Sequence, residues 1–151
     1  MSFKLISHRG NTRGVDLDTE NNPEHINNVV KNYDCEIDLR YREKDSQFFL
    51  GHNDYQYKIE FDWLLSLKDR LWIHCKDFNS LNILSIEAND LNYFWHDSDD
   101  FTLTSKGIIW TYPGKEIGNN SVIVIKDLNE INKNCYGICS DSVEIIEKEY
   151  I

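Results

Sequence analysis

Along the first half of the chain the spacing of apolar positions switches repeatedly between a period of two and a period near four. Residues 3–7 form a short apolar run, broken by Gly10, and predict a buried strand. Asn22-Pro23-Glu24 opens a helical pattern carried by His25, Ile26, Val29 and Val30. Residues 34–39 alternate, with Cys35, Ile37 and Leu39 on one face and Glu36, Asp38 and then Arg40 on the other. A polar turn at Lys44-Asp45-Ser46 leads to a strand over residues 47–52. Residues 61–67 read as a helix, 71–75 as a strand and 81–88 as a further helix. The second half is choppier. Strands are predicted over residues 91–96, 107–112, 121–125 and 136–139, with one short helix over 127–134.

Early alternation of strand and helix implies parallel βαβ units. Such units place functional side chains at the carboxyl ends of the strands, which is where His8, Asp38, His52 and Lys76 fall. A full eight-unit barrel takes about 250 residues, and this chain has 151. The expected fold is therefore α/β: one domain over residues 1–151, a shortened TIM-type β/α barrel, minimal or incomplete, with few helices in its second half. An incomplete barrel exposes strand edges and invites a homodimer.

Hydrophobic residues make up 40% of the chain and aromatic ones 13%, enough to build a core. The formal charge of −10 argues against nucleic acid as the main ligand. It would also repel an anionic substrate unless a cation or a local basic cluster inverts the field. No stretch approaches the roughly 18 apolar residues of a membrane span, and the first residues lack the pattern of a signal peptide. The four cysteines contain no C-x-x-C pair, so free thiols in a reducing, cytoplasmic setting are expected.

The candidate chemistry lies in short segments. Glu36 and Asp38 leave the same strand face, where two carboxylates repel unless a positive group lies between them; a hard cation such as Mg²⁺ or Ca²⁺ takes oxygen ligands of this kind. Taken alone, an E-x-D pair reads more readily as a solvated strand face, and it gains weight only from its neighbours. His8 ends an apolar strand and can exchange a proton near neutral pH. Arg9 offers a planar fork of donors to a phosphate, and Gly10 lets the backbone turn sharply. His52 repeats the arrangement, with Asp54 two residues on to orient it or join a metal shell. His74 and Lys76 form a further i, i+2 pair, Lys76 supplying a positive donor. His25 reads as an ordinary helix histidine, His96 as part of a hydrated acidic turn or of a secondary cation site of low specificity, and Trp110 as core.

Taken in order, Ser7-His8-Arg9-Gly10, Glu20-Asn21-Asn22, Glu36-Ile37-Asp38-Leu39, Gly51-His52-Asn53-Asp54, Ile73-His74-Cys75-Lys76, Ile109-Trp110-Thr111 and Tyr136-Gly137-Ile138-Cys139-Ser140-Asp141 resemble the motifs of the glycerophosphodiester phosphodiesterase family, within the superfamily of phosphatidylinositol-type phospholipase C barrels. The resemblance implies metal-dependent hydrolysis of a glycerophosphodiester or related small phosphodiester. It implies that His8 and His52 form the acid/base pair, Arg9 and Lys76 hold the phosphate, and Glu36 and Asp38 bind Mg²⁺ or Ca²⁺, with Glu20 and His74 as additional ligands. Three departures stand out. His74 replaces the family's third acidic ligand and suits Mn²⁺ or Zn²⁺ better. Asn53 interrupts the His-Asp pair. The span that usually holds the substrate-recognition insertion is absent. The alternatives are a non-catalytic binder of a phosphorylated ligand on the same fold, and an acidic protein-interaction domain.

Overall fold

The structure, a computed structural model, describes residues 3–87 and 90–151. Ten strands and four helices follow in chain order: β1 Lys4–His8, α1 Pro23–Val29, β2 Asp34–Arg42, β3 Gln47–Leu50, β4 Tyr57–Ile59, α2 Phe61–Ser66, β5 Leu71–Cys75, α3 Phe78–Glu87, β6 Tyr93–Trp95, β7 Phe101–Leu103, β8 Ile109–Thr111, β9 Ser121–Val124, β10 Gly137–Ser140 and α4 Val143–Tyr150.

Seven of these strands run parallel, in the order β6-β5-β2-β1-β10-β9-β8. Read from β1, that is the chain order around a ring, the order a β/α barrel requires. β2 is long enough to serve two neighbours on one edge: its first residues pair with β1, and Leu39 to Arg42 then pair antiparallel with β3, which carries β4 in turn. β7 lies antiparallel on β8. Among the described residues no strand ladder joins β6 to β7 or β8. That seam is bridged by single hydrogen bonds: Ser105 N–H donates to the Tyr93 carbonyl at 2.8 Å, and Thr102 Oγ1 donates to the Trp95 carbonyl at 2.8 Å. The sheet is a curled, barrel-like wall without full ladder closure.

Curling brings the inward faces together. Trp72 of β5, Phe94 of β6 and Trp110 of β8 meet with ring centroids 5.8 Å (Trp72–Trp110) and 4.6 Å (Phe94–Trp110) apart, beside Ile6, Val122 and Cys139. The outward faces of β2, β3 and β5 put Ile37, Leu39, Leu50, Ile73 and Cys75 beneath α1, α2 and α3 in a second apolar layer with Ile26, Leu64 and Leu84. Four inward rows run from apolar at the floor to polar at the carboxyl end: Ile6 to His8, Trp72 to His74, Phe94 to His96 and Cys139 to Asp141; the inward row of β2 is charged throughout, Asp34, Glu36 and Asp38. Strand alternation thus gathers the ionisable groups at one rim.

Helix ends follow local chemistry. Asn22 caps α1 by accepting from the N–H groups of Glu24 and His25, with Pro23 in the first turn where no donor is needed. α4 buries Val143 and Ile146 on the sheet, and Arg13 binds Glu144 with a fork of two bonds at 2.7 and 2.8 Å. The expected helix over residues 127–134 is instead one 3₁₀ turn, Leu128–Glu130, closed by a capping box between Asp127 and Glu130. Leu128 and Ile131 pack on the core beside Ile123 and Ile138, but the Asn132-Lys133-Asn134 tail supplies no further apolar position to extend a helix. α3 starts at Phe78, earlier than expected, and the Ala88 end of that expectation lies outside the described residues. β4, β7 and α4 were not expected, so the second half does carry one sheet-packed helix. The four cysteines are unpaired thiols, and among the described residues no helix is long and apolar enough to cross a membrane.

β1 runs close against β10 at Gly137. A Cβ there would sit 2.6 Å from the Lys4 carbonyl oxygen and 2.7 Å from the Lys4 Cβ, so backbone must move to admit it. We predict that Gly137→Ala lowers stability by about 1–3 kcal/mol in chemical denaturation. Gly118→Ala, whose Cβ meets nothing within 4 Å, should leave it nearly unchanged. Equal midpoints for the two variants would contradict the register described for β1 and β10.

Candidate acid–base and metal-binding site

β1 delivers His8 to the rim, where the chain turns at once: Arg9 takes φ +56° and Gly10 φ +89°. His8 Nδ1 lies 2.8 Å from Asp141 Oδ1, just beyond the end of β10. A carboxylate accepts, so Nδ1 carries the proton and Nε2 faces Glu36, 3.8 Å from Oε2. Asn11 fixes Asp141 by donating to the same oxygen at 2.8 Å. Burial opposes the charged form of His8. The Asp141 hydrogen bond and the charges of Glu36 and Asp141 outweigh it and raise its pKa above the ordinary histidine value.

Glu36 and Asp38 are not a solvated strand face: they are 2% and 1% exposed. They stand beside β5 and converge with His74 of that strand. His74 Nδ1 is 3.7 Å from both Glu36 Oε1 and Asp38 Oδ1, and ligand atoms of the three residues lie within 4.8 Å of one another. Asp38 divides its oxygens. Oδ2 accepts from Asn21 Nδ2 at 3.0 Å and pairs with Arg9 Nε at 2.9 Å, while buried Oδ1 has no hydrogen-bond partner. Burial tends to raise the pKa of Asp38, but His52, Arg9 and Asn21 hold it below the usual carboxylate range. Glu36 goes the other way: burial and then the Asp38 charge push it up. Burial likewise lowers His74, to about 4, so its ring is neutral at pH 7. Two carboxylates and a neutral imidazole around one buried point are a fitting donor set for a divalent cation.

Arg9 crosses the rim and spends its fork on the protein. Nε faces Asp38, Nη1 is 3.7 Å from Glu20 Oε2 and Nη2 is 2.7 Å from His52 Nδ1. Glu20, expected at the edge of the metal shell, instead faces Arg9 and accepts from Asn11 Nδ2 at 3.0 Å, outside the Glu36–Asp38–His74 group. His52, 38% exposed, rides on the turn after β3. Arg40 clamps that turn: its Nε donates to the Gly51 carbonyl at 2.9 Å and its Nη2 to the His52 carbonyl. Gly51 is required there, since a Cβ would fall 2.0 Å from the Asp54 carbonyl oxygen. Asp54 itself is exposed and accepts from the Tyr55 N–H at 2.7 Å, so it neither orients His52 nor joins the metal group. The positive charge of Lys76 is felt at Glu36, His74 and His96. His25 donates to the Gly10 carbonyl at 2.8 Å, a satisfied helix histidine, and Trp110 is core, both as expected.

The structure therefore brings together His8, Arg9, Glu36, Asp38, His52, His74 and Glu20, and adds Asp141, Asn11, Asn21 and Arg40. Two of the additions carry a signal in the sequence. Asp141 follows Cys139, and Arg40 follows Asp38, by the same i, i+2 step that marks Glu36 and Asp38. Comparison with family models, with curated proteins and with solved structures finds no match to this chain.

The His8–Asp141 contact has a definite sign with pH. Raised His8 contributes stability below its unfolded pKa of about 6.5 and loses it as pH rises through the folded value. Lowered Asp141 contributes above its unfolded value of about 3.9 and loses it as pH falls. The pair thus stabilises most in the window between those two unfolded values. We predict that Asp141→Asn lowers the His8 pKa, read by NMR titration of the imidazole in chelator-treated protein, and that its stability deficit is larger at pH 5.5 than at pH 8.5. An unmoved His8 titration would refute the contact.

Proposed function

We propose that the protein is a phosphoric diester hydrolase that cleaves a small phosphodiester, of the glycerophosphodiester kind, with a divalent cation and two histidines. The observation that carries this reading is a proton-exchanging pair, His8 and Asp141, facing a buried carboxylate, Glu36, that belongs to a cation-shaped group.

In this reading Glu36, Asp38 and His74 hold the cation, which would polarise a phosphoryl oxygen and offset charge in the transition state. Asp141 fixes the tautomer of His8, so proton exchange with the substrate runs through Nε2. His52, on the far side of Arg9, supplies the second proton transfer: one histidine accepts from the attacking water while the other donates to the leaving alkoxide. A bound phosphate competes with the His52 ring for Arg9 Nη2, and Lys76 adds positive charge at the same rim. These cations matter because the chain carries a formal −10, which otherwise keeps an anionic diester away. An internal hydroxyl attacking in place of water would leave a cyclic phosphate, and the product distinguishes the two.

The test is a panel of glycerophosphocholine, glycerophosphoethanolamine and a chromogenic diester, run with Mg²⁺, Ca²⁺, Mn²⁺ and Zn²⁺ in turn. Turnover should require a divalent cation, and His8→Ala or His52→Ala should each lower kcat by roughly 10²-fold or more. Absence of turnover with every cation, or undiminished turnover in both variants, would overturn the enzymatic reading. Calorimetric uptake of a diester without turnover would identify a binding protein instead.

A further inference from the structure

We infer that His74 is a metal ligand through Nδ1, and that it tunes the site to a nitrogen-accepting divalent ion of the first transition row, of the Mn²⁺ and Zn²⁺ class, rather than to Mg²⁺ or Ca²⁺. The inference rests on reading Glu36, Asp38 and His74 as a cation site; it does not rest on turnover.

Three observations carry it. First, His74 Nε2 lies 2.8 Å from the His96 backbone carbonyl. A carbonyl only accepts, so Nε2 bears a hydrogen, which leaves the Nδ1 lone pair as the one the ring can offer to an ion. This is how a ligating histidine is prepared: a backbone acceptor behind the ring fixes its tautomer and its direction. Second, the ring cannot swing away freely, because it stacks on Phe94 with centroids 5.1 Å apart and planes 18° from parallel. Third, the lone pair is aimed at two more acceptors. Glu36 Oε1 and Asp38 Oδ1 are each 3.7 Å from Nδ1, and Asp38 Oδ1 is buried without any hydrogen-bond partner.

Three acceptors facing one another repel unless something positive sits between them. A proton on Nδ1 does not fill that role, since 3.7 Å exceeds the reach of an N–H···O hydrogen bond. A metal ion does: bonds of about 2.0–2.2 Å to nitrogen and oxygen span separations of this size. Arg9 and Asn21 occupy only Oδ2 of Asp38, which leaves Oδ1 to the ion. Mg²⁺ and Ca²⁺ favour all-oxygen shells, whereas imidazole suits the transition ions.

Every site of this kind favours Zn²⁺ over Mg²⁺ to some degree, so affinity alone does not decide. The decisive measurement is the pulsed EPR spectrum of chelator-stripped protein loaded with Mn²⁺. A directly coordinated ¹⁴N should be seen in the wild type and lost in His74→Glu. Titration should also show that His74→Glu lowers the ratio of Mn²⁺ to Mg²⁺ affinity by roughly tenfold or more. Should the glutamate variant fail to fold, the wild-type spectrum still decides, and His74→Gln replaces it in the titration. Bound Mn²⁺ without coordinated nitrogen, or an unchanged affinity ratio, overturns the inference and leaves the hydrolase reading standing. A wild type that binds no divalent cation overturns both. Nitrogen-ligated Mn²⁺ with no turnover of any diester supports the inference and removes the hydrolase.

Discussion

Burial of Glu36 beside Asp38 is the constraint around which the rim of this protein is built. Taking a carboxylate out of water costs several kcal/mol even after relaxation, and a second carboxylate on the same strand face adds repulsion. The surroundings answer asymmetrically. Asp38 receives Arg9, Asn21 and His52 on one oxygen and stays ionised. Glu36 receives the Arg9 backbone N–H at 3.3 Å and a distant His8, and its pKa rises. Two like groups on one strand are thereby pushed apart in protonation, and one buried oxygen is left unsatisfied between them and His74. Such unequal partition is characteristic of sites that use charge rather than merely tolerate it.

The same constraint explains the positions of neighbours that make no contact with the two carboxylates. Arg40 lies one step beyond Asp38 on the inward face and reaches the Gly51 and His52 carbonyls, so β2 itself holds the loop that carries His52. Asn11 ties Glu20 to Asp141 through one amide, which links the Arg9 side of the rim to the His8 side. Removal of either would leave carbonyl or carboxylate acceptors uncompensated, a larger loss than the net gain from making one hydrogen bond.

Much of this was legible from spacing alone. The i, i+2 rule put Glu36 and Asp38 on one face, and the apolar runs ending in His8, Asp38 and His74 marked the strand ends that the structure gathers. Residues whose role depends on folding back across the rim were less visible. Arg9 reads in sequence as a phosphate fork, yet its left-handed backbone and three carboxylate or imidazole neighbours, distant in the chain, turn the guanidinium inward. Glu20 follows it for the same reason. Asp54 looked like a partner for His52 until the turn demanded by Gly51 pointed it at its own neighbour's N–H. Three-residue strands such as β4 and β7 are too short to show a period, and α4 is anchored by only two buried residues.

The open seam bears on why so short a chain can hold this site. His8, Glu36, Asp38, His74 and Asp141 come from β1, β2, β5 and the end of β10, four strands in unbroken parallel pairing. Three helices back β2, β3 and β5, and α4 covers β1. The missing ladder lies between β6 and β8, on the other side of the curl, where aromatic rings in contact and single hydrogen bonds, rather than a strand ladder, hold the wall together. Side-chain packing across the interior needs no register, whereas a cation-sized group of three ligand atoms does. The ladder is therefore missing where the wall only fills space, and the strands that must fix distances keep theirs.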